Sequence, residues 1–238
     1  MLIDKNIIKW VWIDLDDTLW DFAGNSIISL VKLYHSCRLE PYFNTPENFC
    51  LRYQEVNHAL WADYNVGRIS RDYLMSERFE RPLKNAGYPI GPDTWKRFSD
   101  LYLDYLGECT QTVPGAVELL NRLRGDGFKI GIISNGFKEV QFRKLNSSNI
   151  SHLIDCVVLS DEIGVNKPDI RLFNHAEAKA GFTPAQALII GDNPDTDILG
   201  GLNAGWQAVY FNRDGKGKPS QLAPTVTSLN QIHTTPTV

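Results

Sequence analysis

Cysteine is scarce in this sequence of 238 residues, and the four that are present lie far apart. Cys37, Cys50, Cys109 and Cys156 include no close pair, which argues against a zinc ribbon or a CxxC redox motif. We therefore expect reduced thiols that are mostly buried.

Long apolar runs are also lacking. No stretch approaches the roughly 18 consecutive apolar residues that a membrane-spanning helix needs. The segment from Met1 to Lys5 has no basic region followed by an apolar one, as a secretory signal would have. We expect a cytoplasmic protein that does not interact with membranes.

An excess of positive charge is missing as well. The chain has 24 Lys and Arg against 28 Asp and Glu, so its formal net charge of -4 offers no electrostatic case for binding nucleic acid. The length suits one large domain or a core with an insertion. A small metabolite is therefore the expected partner, and the protein is expected to be a monomer or a homodimer.

The hexapeptide from Asp14 to Leu19, DLDDTL, stands directly after the apolar run from Ile7 to Ile13. Three carboxylates thus follow a predicted buried strand, where they are costly unless a cation, a hydrogen-bond network or chemistry needs them. Asp14 would end the strand and Asp16 would open the loop, so that both face one pocket. The alternative interpretation is an Asp-rich turn with Thr18 as a local cap.

The rest of the chain shows two patterns. From Thr18 to about Thr112 apolar residues recur at helical spacing, with helix starts predicted at Thr45-Pro46 and at Ser70. Beyond Pro114 helices alternate with short strands, which predicts an α/β fold with a doubly wound parallel sheet. The strands are expected at 128–133, 156–159 and 187–190, helices after Pro168 and Pro184, a surface loop at 213–219 and a poorly ordered end at 234–238.

Polar residues follow the predicted strands. Residues 134–136, Ser-Asn-Gly, offer a hydroxyl and loop amides to an anion, and Lys167 places a cation at a predicted helix start. Gly191-Asp192 opens a second acidic segment that includes Asp197. Each part alone is an ordinary turn, helix start or solvated loop. Because the carboxyl ends of parallel strands line one crevice, together they indicate a phosphoryl-transfer site.

In this order the segments resemble the four motifs of the haloacid dehalogenase (HAD) superfamily, and the resemblance covers essentially the whole chain. The matching motifs are residues 14–19, Ser134-Asn135, Lys167-Pro168, and Gly191-Asp192 with Asp197. The resemblance implies a Rossmann-like HAD core of residues 1–20 and 110–238 and an inserted helical cap of residues 21–109. Segments 53–57, 60–64 and 134–137 resemble the pyrimidine 5′-nucleotidase branch that acts on noncanonical nucleotides.

The resemblance also implies roles for the acidic residues. Asp14 would attack phosphorus and form an aspartyl-phosphate, and Asp16 would protonate the leaving group and later accept a proton from water. Mg²⁺ would be held by Asp14, by the backbone carbonyl of Asp16 and by Asp192. Asp197 would orient the metal shell, and Asp17 would have no direct role.

The same resemblance implies a binding site for the transferring phosphoryl group. Ser134, the backbone amide of Asn135, and Lys167 would contact its oxygens. The expected activity is therefore Mg²⁺-dependent hydrolysis of a small phosphorylated metabolite, a pyrimidine nucleoside monophosphate in the first place. Phosphoglycolate or sugar phosphates are the alternative substrates.

Two other function classes remain open at this point. A haloacid dehalogenase would use the first aspartate alone, and the presence of Asp16 argues against it. A protein that binds phosphorylated ligands without turnover is the other. An aromatic residue of the cap would offer the substrate base a stacking surface, but we expect internal packing for any single ring. The candidates for contact with a base are Trp20, Phe22, Asn57, Trp61 and Tyr64.

Overall fold

A computed structural model describes residues 1–215, 217 and 219–235 of the chain. These residues belong to two compact units, Met1–Phe22 with Thr110–Val238, and Ala23–Cys109. Lys216 and Lys218 of the predicted surface loop, and residues 236–238 of the predicted disordered end, lie outside the described residues. Within the part of the chain that is described, no helix is both long enough and apolar enough to cross a membrane.

The first unit is built on a six-stranded parallel sheet with the strand order β4-β3-β2-β5-β6-β7. Its strands are β2 (Trp10–Ile13), β3 (Lys129–Ser134), β4 (Cys156–Leu159), β5 (Ala187–Gly191), β6 (Gln207–Phe211) and β7 (Thr225–Val226). A separate parallel pair joins β1 (Leu2–Ile3) to β8 (His233–Thr234). The doubly wound parallel sheet predicted from the alternating pattern is confirmed.

Strand β2 lies inside the sheet because it is apolar on both faces. Val11, Trp12 and Ile13 are fully buried, as is typical of parallel strands covered by helices on both sides. Trp12 lies opposite Gly131 of β3 and Ile189 of β5. A Cβ atom on Gly131 would stand 2.3 Å from the Trp12 ring, so only glycine leaves room for the indole. The register of the strand that precedes Asp14 is thus fixed on both sides.

The described residues of the first unit also form the α-helices α6 (Ala116–Gly125), α7 (Lys138–Ser147), α8 (Ile170–Ala180) and α9 (Leu199–Asn203). Trp12, Phe173 of α8 and Trp206 belong to one hydrophobic cluster, in which the rings of Phe173 and Trp206 pack edge to face at 5.1 Å. Burial of these large rings stabilises the packing of α8 on this side of the sheet.

The second unit is entirely helical in its regular structure. It contains α1 (Phe22–Ser36, which begins in the first unit), α2 (Glu40–Phe43), α3 (Pro46–Asn65), α4 (Arg71–Asn85) and α5 (Thr94–Glu108). Thr45 caps α3 by accepting from the backbone of Asn48, and Ser70 caps α4, which confirms both predicted starts. The rings of Tyr53 and Phe79, 4.8 Å apart, lie in its aromatic core.

Two predicted element boundaries near Asp14 and Pro184 are wrong. The run that begins at Ile7 contributes only Trp10–Ile13 to the sheet, because the backbone N–H groups of Ile7 and Ile8 bond to the carbonyl of Asp4 in a turn. Asp14 therefore follows the strand instead of ending it. Pro184 opens one 3₁₀ turn, Pro184–Gln186, because strand β5 begins at the next residue.

The helix predicted after Pro168 is confirmed as α8, which begins at Ile170 because the side chain of Asp169 accepts from the backbone of Arg171 and caps the helix there. The predicted order at the end of the chain needs correction. Thr234 is ordered: it pairs in β8, and its hydroxyl donates to Asp126 Oδ2 at 2.5 Å. Pairing with the start of the chain supplies the hydrogen bonds that a free end would lack.

Candidate active site

Asp14 lies at the carboxyl edge of the sheet, where β2 ends between β3 and β5. Its backbone N–H donates to the carbonyl of Ile190 at 2.9 Å, so the first residue after the strand still follows the ladder. Its side chain receives a hydrogen bond from Lys167 Nζ to Oδ1 at 2.5 Å. The carboxylate is nearly buried, and its orientation is set by both the sheet and the ammonium group.

Lys167 has three oxygen partners around a fully buried ammonium group. Nζ contacts Asp14 Oδ1, the backbone carbonyl of Ile133 at 2.8 Å and Asp197 Oδ1 at 2.6 Å. The side chain of Asn135 holds the backbone of this lysine, accepting from its N–H at 2.7 Å and donating to its carbonyl at 3.1 Å. The sequence-predicted cation therefore reaches the predicted carboxylates, and Asn135 positions it.

Three carboxylates lie together at this edge. Asp14, Asp192 and Asp197 each offer an oxygen atom within 4.8 Å of the others. Asp197 Oδ2 accepts the backbone N–H of Asn193 at 3.1 Å, and a Cβ atom on Gly191 would stand 2.3 Å from that oxygen. The glycine of the Gly191-Asp192 motif thus makes room for Asp197.

Burial and the neighbouring charges change the pKa values of the groups in this cluster. Burial raises the pKa of Asp14 to about 7; Lys167 opposes the shift, while Asp197 and Asp16 add to it. Burial, followed by the charges of Asp14 and Asp197, also raises the pKa of Asp192 well above its usual range. Burial lowers the pKa of Lys167, but the two aspartates outweigh this and raise it. The cluster holds more negative charge than its one lysine neutralises, which is the electrostatic condition for binding a cation.

Asp16 has two partners that the sequence analysis missed. Lys144 Nζ donates to Asp16 Oδ1 at 2.6 Å, and Gln141 Nε2 donates to Oδ2 at 2.9 Å. Both residues lie on helix α7 and are buried, together with the apolar Val140 and Leu145. Two polar residues on the apolar stripe of an amphipathic helix were the signal that could have found them.

Ser134 ends strand β3 with its hydroxyl in a fixed position. Its Oγ accepts from Gln141 Nε2 at 2.7 Å and from the backbone N–H of Gly136 at 3.1 Å. Because both bonds use the oxygen as acceptor, the hydroxyl hydrogen can donate to a substrate oxygen.

The turn after Asp14 explains two other residues of the hexapeptide. Asp17 has φ 59°, in the left-handed region that Asp tolerates better than most side chains, and its N–H donates to the carbonyl of Trp20. Thr18 is fully buried, and its hydroxyl donates to Asp192 Oδ1 at 3.3 Å. The interpretation of Thr18 as a local cap is therefore wrong, since its partner is 174 residues away.

The candidates for contact with a base differ in exposure. Trp20 is fully buried and Asn57 is nearly so. Phe22, Trp61 and Tyr64 are half-buried, and the last two pack edge to face at 5.5 Å. The structure removes Trp20 as a stacking platform because its ring has no free face.

A parallel sheet that carries acidic residues, a serine and a lysine at its carboxyl edge is the arrangement expected of the class of hydrolases that the sequence resembles. The haloacid dehalogenase-like hydrolase family model matches residues 8–205, and the chain belongs to this family. It is therefore an enzyme, a hydrolase.

The chain is also similar to individual proteins of known name. The chain is 35% identical over 230 residues to pyrimidine 5′-nucleotidase YjjG of Escherichia coli strain K12, with 94% of this chain and 97% of the relative covered. It is 37% identical over 227 residues to a glyceraldehyde 3-phosphate phosphatase of Methanopyrus kandleri, covering 92% and 88%. The magnesium-bound structure of the HAD-hydrolase YfnB from Bacillus subtilis superposes with a TM-score of 0.84 at 26% identity, covering 94% and 96%.

Proposed function

We propose that this hydrolase cleaves phosphate monoesters through an aspartyl-phosphate on Asp14, and that its substrates are pyrimidine nucleoside 5′-monophosphates. The observation that carries the chemical part is the arrangement around Lys167, whose ammonium holds Asp14 and Asp197 at one strand edge. Ser134 and Asp16 come to the same edge through their shared partner Gln141. A nucleophile, a proton carrier and two phosphate-binding groups are thus available.

In the first step an oxygen of Asp14 forms a bond to phosphorus, and the bond from phosphorus to the ester oxygen breaks. Asp16 gives its proton to the departing alkoxide. Lys167 and the hydroxyl of Ser134 interact with the phosphoryl oxygens as charge redistributes over them, and the backbone amide of Asn135 adds a further donor. Splitting one displacement into two lowers the barrier of each.

In the second step water attacks phosphorus and its proton passes to Asp16. The bond between phosphorus and the Asp14 oxygen breaks, which releases inorganic phosphate and restores both carboxyl groups. Asp16 is suited to both steps because its carboxylate is partly exposed, whereas Asp14 is nearly buried. One residue can then exchange protons first with the leaving group and afterwards with water.

The donor set fits Mg²⁺. Hard carboxylate oxygens of Asp14 and Asp192 lie close together, and burial, with the neighbouring carboxylates adding to it, raises the pKa of both groups. Asp14, the backbone carbonyl of Asp16 and Asp192 would hold the ion. Asp197 forms an ion pair with Lys167 through one oxygen and accepts a hydrogen bond from the backbone of Asn193 through the other, an arrangement suited to orienting the metal ligands without binding the ion directly. A bound Mg²⁺ would supply charge neutralisation that lets a carboxylate approach a phosphate dianion.

The choice of pyrimidine nucleotides rests on the similarity to YjjG over nearly the full length of both chains and on the resemblance of segments 53–57, 60–64 and 134–137 to the nucleotidase branch. The similarity to a glyceraldehyde 3-phosphate phosphatase favours a second candidate, a three-carbon or sugar phosphate. Both candidates share the chemistry and differ only in the leaving group.

An assay of the purified protein with a panel of substrates and Mg²⁺ distinguishes the two candidate substrate classes. Phosphate release is measured from UMP, CMP, dTMP, AMP, GMP, glyceraldehyde 3-phosphate and phosphoglycolate, and halide release from 2-chloropropionate. We expect kcat/KM for the pyrimidine nucleotides to exceed the others by at least about tenfold, or about 1.4 kcal/mol. A preference for glyceraldehyde 3-phosphate would support the second candidate. Halide release without phosphate release would reject the proposed reaction.

A further inference from the structure

The carboxylate of Asp16 is held at both of its oxygens by side chains of one helix. Lys144 donates to Oδ1 and Gln141 to Oδ2, and these two residues are three positions apart on α7. The side chain of Asp16 is 28% exposed, whereas that of Lys144 is 4% exposed. The partners are therefore buried, whereas the carboxylate that they hold is partly exposed.

The position of Lys144 is fixed by more than its ion pair. Its ammonium lies 4.8 Å from the ring centre of Trp20 and 5.2 Å from that of Phe22, two cation–π contacts that offset part of the cost of burial. Trp20 also pairs with the backbone of Asp16 through an isolated bridge. Trp20 thus contacts the loop that carries Asp16 through its backbone and the lysine that binds Asp16 through its ring.

Gln141 is oriented in the direction that serves Asp16. Its Nε2 donates one hydrogen to Asp16 Oδ2 and the other to Ser134 Oγ. Its Oε1 is buried and has no hydrogen-bond partner among the described residues. A buried acceptor without a partner is unfavourable, so the two donations must outweigh that cost.

We propose that Lys144 and Gln141 are positioning residues that hold the carboxylate of Asp16 in the orientation from which it exchanges protons at the phosphoryl group. This inference rests on the proposed function of Asp16. Without the two donors the carboxylate would rotate among several orientations, and only a fraction of bound substrates would meet it correctly placed. The loss should therefore affect kcat and leave KM nearly unchanged.

The test compares Lys144→Met and Gln141→Leu with Lys138→Met. Lys138 lies on the same helix and is exposed, so the control removes the same charge without touching Asp16. With UMP as substrate we expect kcat to fall about 10- to 100-fold in the first two variants. KM should stay within about threefold of wild type in Lys144→Met, whereas Gln141→Leu also removes a donor to Ser134 and can change KM. Lys144→Arg, which restores a donor, should recover part of the loss. The control should match wild type.

A substrate whose leaving group needs no proton distinguishes a loss of proton transfer by Asp16 from a general loss of activity. With p-nitrophenyl phosphate, whose leaving group needs no proton, Lys144→Met should release the first equivalent of p-nitrophenolate within about threefold of the wild-type rate. Later turnovers should slow, because hydrolysis of the aspartyl-phosphate still needs Asp16. A first turnover slowed as much as the later ones would contradict the proposal.

A double-mutant comparison tests whether Lys144 acts through Asp16. In an Asp16→Asn background, adding Lys144→Met should change kcat less than about twofold, because the carboxylate it positions is gone. A further loss as large as in the wild-type background would overturn the proposal and assign Lys144 a direct role at the phosphate. Thermal unfolding of each variant shows whether it folds. If Lys144→Met does not fold, the kcat values of Gln141→Leu and Lys144→Arg test the positioning role instead.

The failure of this inference differs from the failure of the proposed function. If wild type hydrolyses UMP and Asp16→Asn slows it strongly while Lys144→Met and Gln141→Leu behave like Lys138→Met, only the positioning role is rejected. If Asp16→Asn retains wild-type turnover, the proton role of Asp16 is rejected and the positioning role with it.

Discussion

The side-chain nitrogen of Gln141 lies 2.7 Å from the hydroxyl oxygen of Ser134. The same nitrogen donates to Asp16. One amide therefore connects Ser134, which would bind the phosphoryl group, to Asp16, which would transfer protons. Because the amide uses both of its hydrogens in this way, moving it would disturb both groups together.

Replacing Gly136 tests that connection without changing any donor or acceptor. A Cβ atom at Gly136 would stand 2.2 Å from Gln141 Nε2, so Gly136→Ala must displace the amide. We expect kcat to fall about tenfold or more, since displacements near 1 Å at a reacting centre cost up to about 100-fold. Steady-state kinetics measure this. Gly125→Ala, where a Cβ meets no atom within 4 Å, is the matched control and should leave kcat unchanged.

Asp14→Asn should abolish turnover while the protein stays folded. An amide cannot form the bond to phosphorus, and loss of a nucleophile costs more than about 10³-fold in kcat. Phosphate release and circular dichroism provide the two measurements. Asp195→Asn makes the same chemical change at an exposed position of the acidic segment and should be as active as wild type. Substantial turnover by Asp14→Asn would remove this residue as the nucleophile.

Removing divalent metal should stop phosphate release, and adding Mg²⁺ back should restore it. The ion should also stabilise the fold more at about pH 8 than at about pH 5, because metal ligands must lose their protons. Burial raises the pKa of Asp14 to about 7 from an ordinary value of 3.8. Between these values the folded state holds a proton that the unfolded state has lost, so metal-free stability decreases as the pH rises.

Differential scanning fluorimetry with and without Mg²⁺ across this pH range measures the effect. The midpoint shift caused by Mg²⁺ should grow as the pH rises through about 7. A shift that is largest at about pH 5, or undiminished turnover after chelation, would argue against the carboxylate cluster as the metal site.

Gly131→Ala probes the strand that fixes Asp14. Its Cβ atom would stand 2.3 Å from the buried ring of Trp12, and overpacking of this kind costs about 1–3 kcal/mol. Urea unfolding should show a lower midpoint with an unchanged slope. Gly125→Ala should be neutral or slightly stabilising, because its Cβ meets open space. Equal stabilities of the two variants would contradict the packing described for Trp12.

The sequence predicts the parts of the site that depend on strand ends. Lys167 and Asp197 come from distant segments, yet Lys167 bonds to Asp14 and Asp197 offers an oxygen within 4.8 Å of it, because the segments that follow parallel strands meet at one edge of the sheet. Gln141 and Lys144 could not be placed in this way. Which face of α7 contacts Asp16 depends on how the helix packs. A single sequence shows that an amphipathic helix has polar residues on its apolar face, but it does not identify the residues that they contact.

The contacts of the side chains in the turn after Asp14 could not be predicted from the sequence either. Thr18 has the residue type of a local cap, but its hydroxyl reaches Asp192 because the turn brings it under the second acidic segment. Trp20 has the residue type of a stacking platform, but its ring is buried against Lys144. In both cases a tertiary contact decided between two local possibilities.

The order of strands in the sheet has a consequence for synthesis of the chain. Strand β2 is made first, but its two partners are β3 and β5, which end at Ser134 and Gly191. The apolar β2 therefore leaves the ribosome more than a hundred residues ahead of either strand that pairs with it, whereas the compact unit Ala23–Cys109 is continuous in sequence. We therefore expect exposure of the WVWI segment to chaperones or aggregation to be greatest before Gly191 emerges.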